Sequence, residues 1–141
     1  MRRLMLIIMT VLMLAIGAEA RSIYTDRDLD NVFNKQASTF PIQVKKNVFV
    51  DIEYRDGNKL TTLFTITGTY QGVKVNELTQ HKDVFNEYKE GLTTTLVDTV
   101  CNNTSFVFML DADYVFHYML SADDGGLLLD LIITKHMCRG R

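Results

Sequence analysis

Three histidines, two cysteines and a short group of aspartates are the side chains of this sequence best suited to chemistry. His81, His117 and His136 offer acid–base groups or metal ligands near neutral pH. A hydrolase would also need an activated nucleophile with a base beside it, and no GxSxG surrounds any serine. HExxH for zinc, GxxxxGK[ST] for a phosphate and GxGxxG for a dinucleotide are all missing as well. His81 falls near the start of a long helical pattern, His117 in the middle of a strand pattern and His136 near the C-terminus, so spacing does not bring them together. The expectation is a protein without catalytic residues and without a cofactor. Asp111, Asp113, Asp123 and Asp124 make the sharpest local cluster of charge. If both segments lie at one end of a sheet, their carboxylates supply the oxygen ligands that Ca²⁺ prefers. The alternative is that these aspartates open and close turns.

Cys101 and Cys138 are the only cysteines, and the start of the chain decides how to read them. Arg2 and Arg3 are followed by an apolar stretch from Leu4 to Ile16, broken only by Thr10, and then by Ala18-Glu19-Ala20. This is the pattern of a secretory signal peptide cut after Ala20. As a helix the apolar stretch would cover about 20 Å, against about 30 Å for a bilayer core, which argues against a membrane anchor. An exported chain meets oxidising conditions, so a structural disulfide between Cys101 and Cys138 is expected. No CxxC spacing favours a catalytic thiol or a metal pair. The overlapping sequons Asn102-Asn103-Thr104 and Asn103-Thr104-Ser105 would matter only in a eukaryotic secretory pathway, and read here as a polar turn that ends a helix.

The 141 residues are 47% apolar, with 15 Lys and Arg against 17 Asp and Glu. Without the first twenty, about 42% of the chain is apolar and its net charge is near −3. That size suits one domain. The charge offers no basic field for nucleic acid. No later segment is long and apolar enough to span a bilayer. The expected organisation is a signal peptide over 1–20 and a single α+β domain over 21–141.

Helical spacing begins at Thr25, a capping residue, and runs through Leu29, Val32, Phe33, Ala37 and Phe40 to a stop at Pro41. Val48 to Tyr54 and Leu60 to Ile66 then alternate as a hairpin. Val48, Val50, Ile52 and Tyr54 share a face with Leu60, Thr62, Phe64 and Ile66 only if the loop is odd, so Arg55-Asp56-Gly57 is the predicted loop. Gly68 to Lys74 reads as a polar connection. A second helix runs from Asn76 or Thr79 to Val100, its stripe drawn by Val84, Phe85, Tyr88, Leu92, Leu96, Val97 and Val100. The segment Phe106 to Leu110 is compatible with a loop, a helical turn or a strand. Tyr114 to Leu120 and Leu127 to Ile133 flank Asp123-Asp124-Gly125-Gly126 as a second hairpin, closed by pairing Asp123 with Gly126. Its predicted core face holds Phe116, Tyr118, Leu120, Leu127, Leu129, Leu131 and Ile133. The opposite face, with His117, Met119, Ser121, Leu128, Asp130 and Ile132, is too apolar to be fully wet, so either the Phe106 to Leu110 segment covers it or it is a partner surface. The predicted fold is α+β, helix-hairpin-helix-hairpin: an antiparallel four-stranded sheet with two helices packed on one face and one disulfide.

Asn34-Lys35-Gln36 before Phe40-Pro41-Ile42-Gln43-Val44, the helix closing in Val100-Cys101-Asn102, the Tyr114 to Leu120 strand, the Asp124-Gly125 turn and the closing Cys138 carry a resemblance. In their order they resemble the small exported bacterial proteins known as quorum-sensing-regulated virulence factors. The resemblance covers most of the chain after residue 20 and departs from the family over Tyr70 to Lys82. It implies a signal-bearing, single-domain α+β protein and brings no catalytic or binding residues with it.

The sequence therefore points to an exported, non-enzymatic accessory protein, periplasmic or secreted. Such a protein would support virulence, or secretion or pilus assembly, through a protein partner in the cell envelope or host. Phe49 and Ile132, opposite the predicted core, either lie under the loops or mark a second sheet face or strand edge as its docking surface. The competing expectation is a small inhibitor of an envelope or host enzyme that inserts the hairpin loop Arg55 to Asn58 into its target.

Overall fold

A computed structural model describes residues 25–140. The expected signal peptide and its cleavage after Ala20 lie outside the described residues. The first helix, α1 (Asp26–Gln36), is set by a capping box: the Thr25 hydroxyl accepts from the Asp28 amide at 3.2 Å, and the Asp28 carboxylate accepts from the Thr25 amide at 3.1 Å. Leu29 and Phe33 are its buried residues. A turn of 3₁₀ helix, Ala37–Thr39, and a cis Phe40–Pro41 peptide follow it.

Strands β1 (Ile42–Lys45), β2 (Val48–Asp56) and β3 (Lys59–Ile66) form an antiparallel meander. A miniature hairpin, β4 (Thr69–Tyr70) and β5 (Val73–Lys74), turns through Gln71 and Gly72, both at positive φ. After a 3₁₀ segment, Val75–Gln80, comes the long helix α2 (Lys82–Cys101). It buries Tyr88, Leu92, Leu96, Val97 and Val100, the stripe read from spacing. Thr95 and Thr99 sit within it by donating to the carbonyls of Gly91 and Thr95, one turn back. Asn103 then caps α3 (Thr104–Asp111), its side chain accepting from the Phe106 amide at 3.1 Å. The segment around Phe106 is thus a helix that places Phe106, Met109 and Leu110 in the core. Strands β6 (Val115–Ala122) and β7 (Leu127–Ile133) complete the fold.

The main sheet has the order β1-β2-β3-β6-β7 and is mixed. The predicted four-stranded antiparallel sheet is corrected in two respects. The short β1 adds a fifth strand, and the hairpins join through β3 and β6, which run parallel from Lys59↔Val115 to Ile66↔Ala122. A parallel pair needs a long crossover. Here the miniature hairpin, α2 and α3 provide it, so among the described residues two predicted helices become three. One hydrophobic core unites the inner face of the sheet with Leu29 and Phe33 of α1, the α2 stripe and the α3 residues.

Both hairpins also depart from the predicted turn geometry. In the first, Asp56 pairs with Lys59 across a two-residue Gly57-Asn58 turn, with Gly57 at φ 63°. Val48 and Val50 face the core opposite Ile66 and Phe64 as expected. A bulge between Val50 and Ile52 then shifts the register and reverses the faces nearer the turn. Ile52 and Tyr54, predicted in the core, point outward, and Glu53 points in. In the second hairpin Ala122, not Asp123, bonds to Gly126, around Asp123-Asp124-Gly125. The compensating shift between Leu120 and Ser121 exchanges the predicted places of two leucines: Leu127 is exposed and Leu128 is buried.

Candidate functional site

The outer face of the sheet is the surface the fold leaves open. On β2, Ile52 is 40% and Tyr54 39% exposed; on β7, Ile132 is 45% exposed. Half-buried Leu63 and Met119 pair between them on β3 and β6. Every helix contributes residues to the core on the opposite face.

A hydroxyl–imidazole–carboxylate chain crosses the middle of this face. Thr61 Oγ1 lies 3.2 Å from His117 Nδ1, and His117 Nε2 lies 2.6 Å from Asp130 Oδ1. A carboxylate only accepts, so Nε2 carries the proton it donates to Asp130, and in the neutral ring Nδ1 accepts from the threonine hydroxyl. This is the order of groups that activates a nucleophile in some hydrolases. The resemblance ends at accessibility. Thr61 is 1% exposed, and none of the three clefts described below is lined by Thr61, His117 or Asp130. The chain acts as a polar tie across β3, β6 and β7, with Asp130 at the rim of the open face.

On the inner face Glu53 is 3% exposed, and neither of its carboxylate oxygens has a hydrogen-bond partner. Burial pushes its carboxyl up to about 8, so it is neutral at pH 7. The buried Tyr118 hydroxyl is also unpartnered, and its ionisation is pushed up first by burial and then by the charge of Glu53. Arg55, two residues on, reaches α1: Nε and Nη2 bond to the two Asp30 oxygens at 2.7 Å each, and Nη1 bonds to the Gly57 carbonyl. The hairpin loop expected to insert into a target enzyme thus has its arginine committed to docking α1.

The four candidate calcium ligands do not converge. Asp111 and Asp113 precede β6, while Asp123 and Asp124 follow it, so the two pairs sit at opposite ends of a strand about 26 Å long. Asp113 accepts from Lys135 Nζ at 2.7 Å, which holds its carboxyl below the usual range. Asp123 accepts from Asn76 at 3.0 Å and Asp124 from the Gly126 amide at 2.9 Å. Among the described residues no group of three or more His, Cys, Asp or Glu is placed to hold a metal ion. His81 stands at the N-terminus of α2 and His136 in the 3₁₀ turn Lys135–Cys138, on elements other than that of His117. Cys101 and Cys138 are joined, with Cα atoms 5.2 Å apart, tying the end of α2 to the segment after β7.

Three open clefts stand out among the described residues. The largest, about 560 Å³, runs between α2 and β7 and is lined by Asn86, Lys89, Glu90, Thr93, Thr94 and Leu129. One of about 310 Å³ lies beside Lys45, Lys46, Tyr70 and Tyr88, and one of about 220 Å³ beside Asp113, Tyr114 and Lys135.

With this geometry the chain is similar to known folds. A candidate secreted protein of Pseudomonas aeruginosa superposes with a TM-score of 0.58 at 15% identity, covering 84% of this chain and 99% of that one. The type 2 secretion system pilotin EpsS of Vibrio vulnificus gives 0.57 at 18% identity, over 79% of this chain and 89% of its own. The type II secretion system pilotin AspS of Vibrio cholerae gives 0.50 at 15% identity, over 77% and 87%. No family model matches the chain, and no curated protein matches it significantly. At these identities the likeness is one of fold, shared with secretion-related proteins. No helix among the described residues is long and apolar enough to cross a membrane.

Sequence reasoning missed the Thr61–His117–Asp130 tie because Thr61 and His117 meet only through the parallel β3–β6 pairing. It missed Glu53 because the bulge that turns this side chain inward leaves no mark in the alternation. Beside the bulge the Asp51 carboxylate accepts from the Thr65 hydroxyl at 2.6 Å.

Proposed function

We propose that this chain is an exported, non-enzymatic accessory protein of the bacterial envelope that supports virulence, or secretion or pilus assembly, by binding a protein partner. It works in the periplasm or outside the cell after cleavage following Ala20. The observation that carries this reading is the fold held in common with two type II secretion pilotins over more than three quarters of the chain. The open apolar face around Ile52, Tyr54 and Ile132 supplies the surface for contact. The inaccessible hydroxyl of the Thr61–His117–Asp130 chain favours binding over catalysis. The resemblance to quorum-sensing-regulated virulence factors supports the link to virulence.

Deletion of the gene in its native host, with complementation, tests the reading. The expected result is loss of extracellular release of secreted proteins or of surface pili, restored by the wild-type chain and not by an Ile132→Lys variant that folds. Normal secretion and normal piliation in the deletion strain would overturn it.

A further inference from the structure

The two edges of the main sheet differ in length and in the residues that guard them. Strand β1 is four residues long, follows Pro41, ends in Lys45 and carries a register shift between Gln43 and Lys45. These are the devices that stop an edge from pairing. Strand β7 shares the register shift, with Leu128 as its extra residue, and carries the charge of Asp130, but it has none of the other devices. It runs seven residues, Leu127-Leu128-Leu129-Asp130-Leu131-Ile132-Ile133, without Pro, Gly or Lys, and no strand lies beyond it among the described residues. Its free edge borders both the open apolar face and the cleft against α2, in which Leu129 is the contribution of β7.

We propose that β7 receives an extended segment of a partner protein, which adds to the sheet as a sixth strand. The inference rests on the accessory-protein reading and names how the partner is held. Backbone hydrogen bonds to β7 would hold the segment, and side-chain alternation would select it. On the outer side the incoming strand meets Leu127, Asp130 and Ile132. Asp130 is anchored by His117 and has a half-exposed side chain, so it favours a Lys or Arg beside it with apolar residues on either side. The interleaved side chains turn towards Asn86, Glu90, Thr93 and Thr94 at the mouth of the cleft, which suits small polar groups. A second copy of this chain fits badly. Full antiparallel pairing of two β7 strands is centred on Asp130 and sets the two carboxylates opposite each other.

The test uses a blocked synthetic peptide with valines flanking a central lysine on one face and threonines on the other, a counterpart with a central glutamate, and a third peptide N-methylated along one edge. Binding is followed by fluorescence anisotropy, and its location by amide hydrogen exchange. Saturable binding of the lysine peptide with slowed exchange in β7 is expected. It should be about threefold tighter than the glutamate peptide. The ratio should fall to about one in Asp130→Asn, which keeps an acceptor for His117. N-methylation should weaken binding about tenfold or more. Equal binding of the methylated peptide, protection in β1 instead of β7, or no saturation at millimolar peptide would overturn the proposal. If the deletion phenotype appears while these binding results fail, the strand-addition mode falls and the accessory reading stands. Binding at β7 without any deletion phenotype supports the edge and removes the accessory reading.

Discussion

Glu53 is the residue whose environment makes the sharpest demand on solution behaviour. Its carboxyl titrates near 8 in the folded chain and near 4.5 when solvated, so over that range the native form keeps a proton that the unfolded form releases. Stability is therefore highest below about pH 4.5 with respect to this group, declines as pH rises towards 8 and then levels off. At about 1.4 kcal/mol per pKa unit the ceiling on the decline is a few kcal/mol. Denaturant titrations from pH 5 to 8 should show it, and Glu53→Gln should remove more than half of the slope. A slope unchanged in that variant would place the titration elsewhere. Leu29, fully buried on α1, gives a simpler expectation: Leu29→Ala should cost about 2–5 kcal/mol by the same measurement. Little of this was visible in the sequence. Leu29 was legible as one of a helical series, whereas Glu53 occupies a position that alternation assigns to the solvent.

The helices and strands were more legible than their joints. Spacing found α1 with its cap, the buried stripe of α2 and both hairpins, because each is specified by neighbours within a turn or a strand. Turn lengths were off by one residue in both hairpins, since a bulge can absorb the parity that the apolar pattern imposes. The parallel β3–β6 pairing and the short β1 depend on contacts distant in sequence and left no local trace. The disulfide was legible, because the sequence holds two cysteines and the expected export left them few alternatives. It closes 37 residues that include α3, β6 and β7. On the chain-entropy model the Cys101→Ser, Cys138→Ser double variant should lose about 4 kcal/mol. Thermal unfolding with and without reductant checks this, and reductant should have no effect on the double variant.

At the scale of the whole molecule, the helices crowd one side of the sheet, and Ile52, Tyr54 and Ile132 are exposed on the other. A charge placed on the open side should therefore separate folding from function. Tyr54→Glu and Ile132→Lys are expected to change unfolding free energy by no more than about 0.5 kcal/mol while abolishing complementation of the deletion strain. A loss of several kcal/mol in either variant would mean that the face is covered in the native protein. The mixed sheet has a further consequence for how the chain is made. Thr61 and His117, neighbours in the finished sheet, are 56 residues apart. A ribosome delivers the N-terminus first, so the first meander can form while the flank of β3 that will receive β6 still has no partner. During that interval the strand destined for the centre of the sheet is an edge, open to the same pairing that β7 offers when folding is done. Slowing synthesis between residues 66 and 115 should therefore raise aggregation more than the same delay after residue 133.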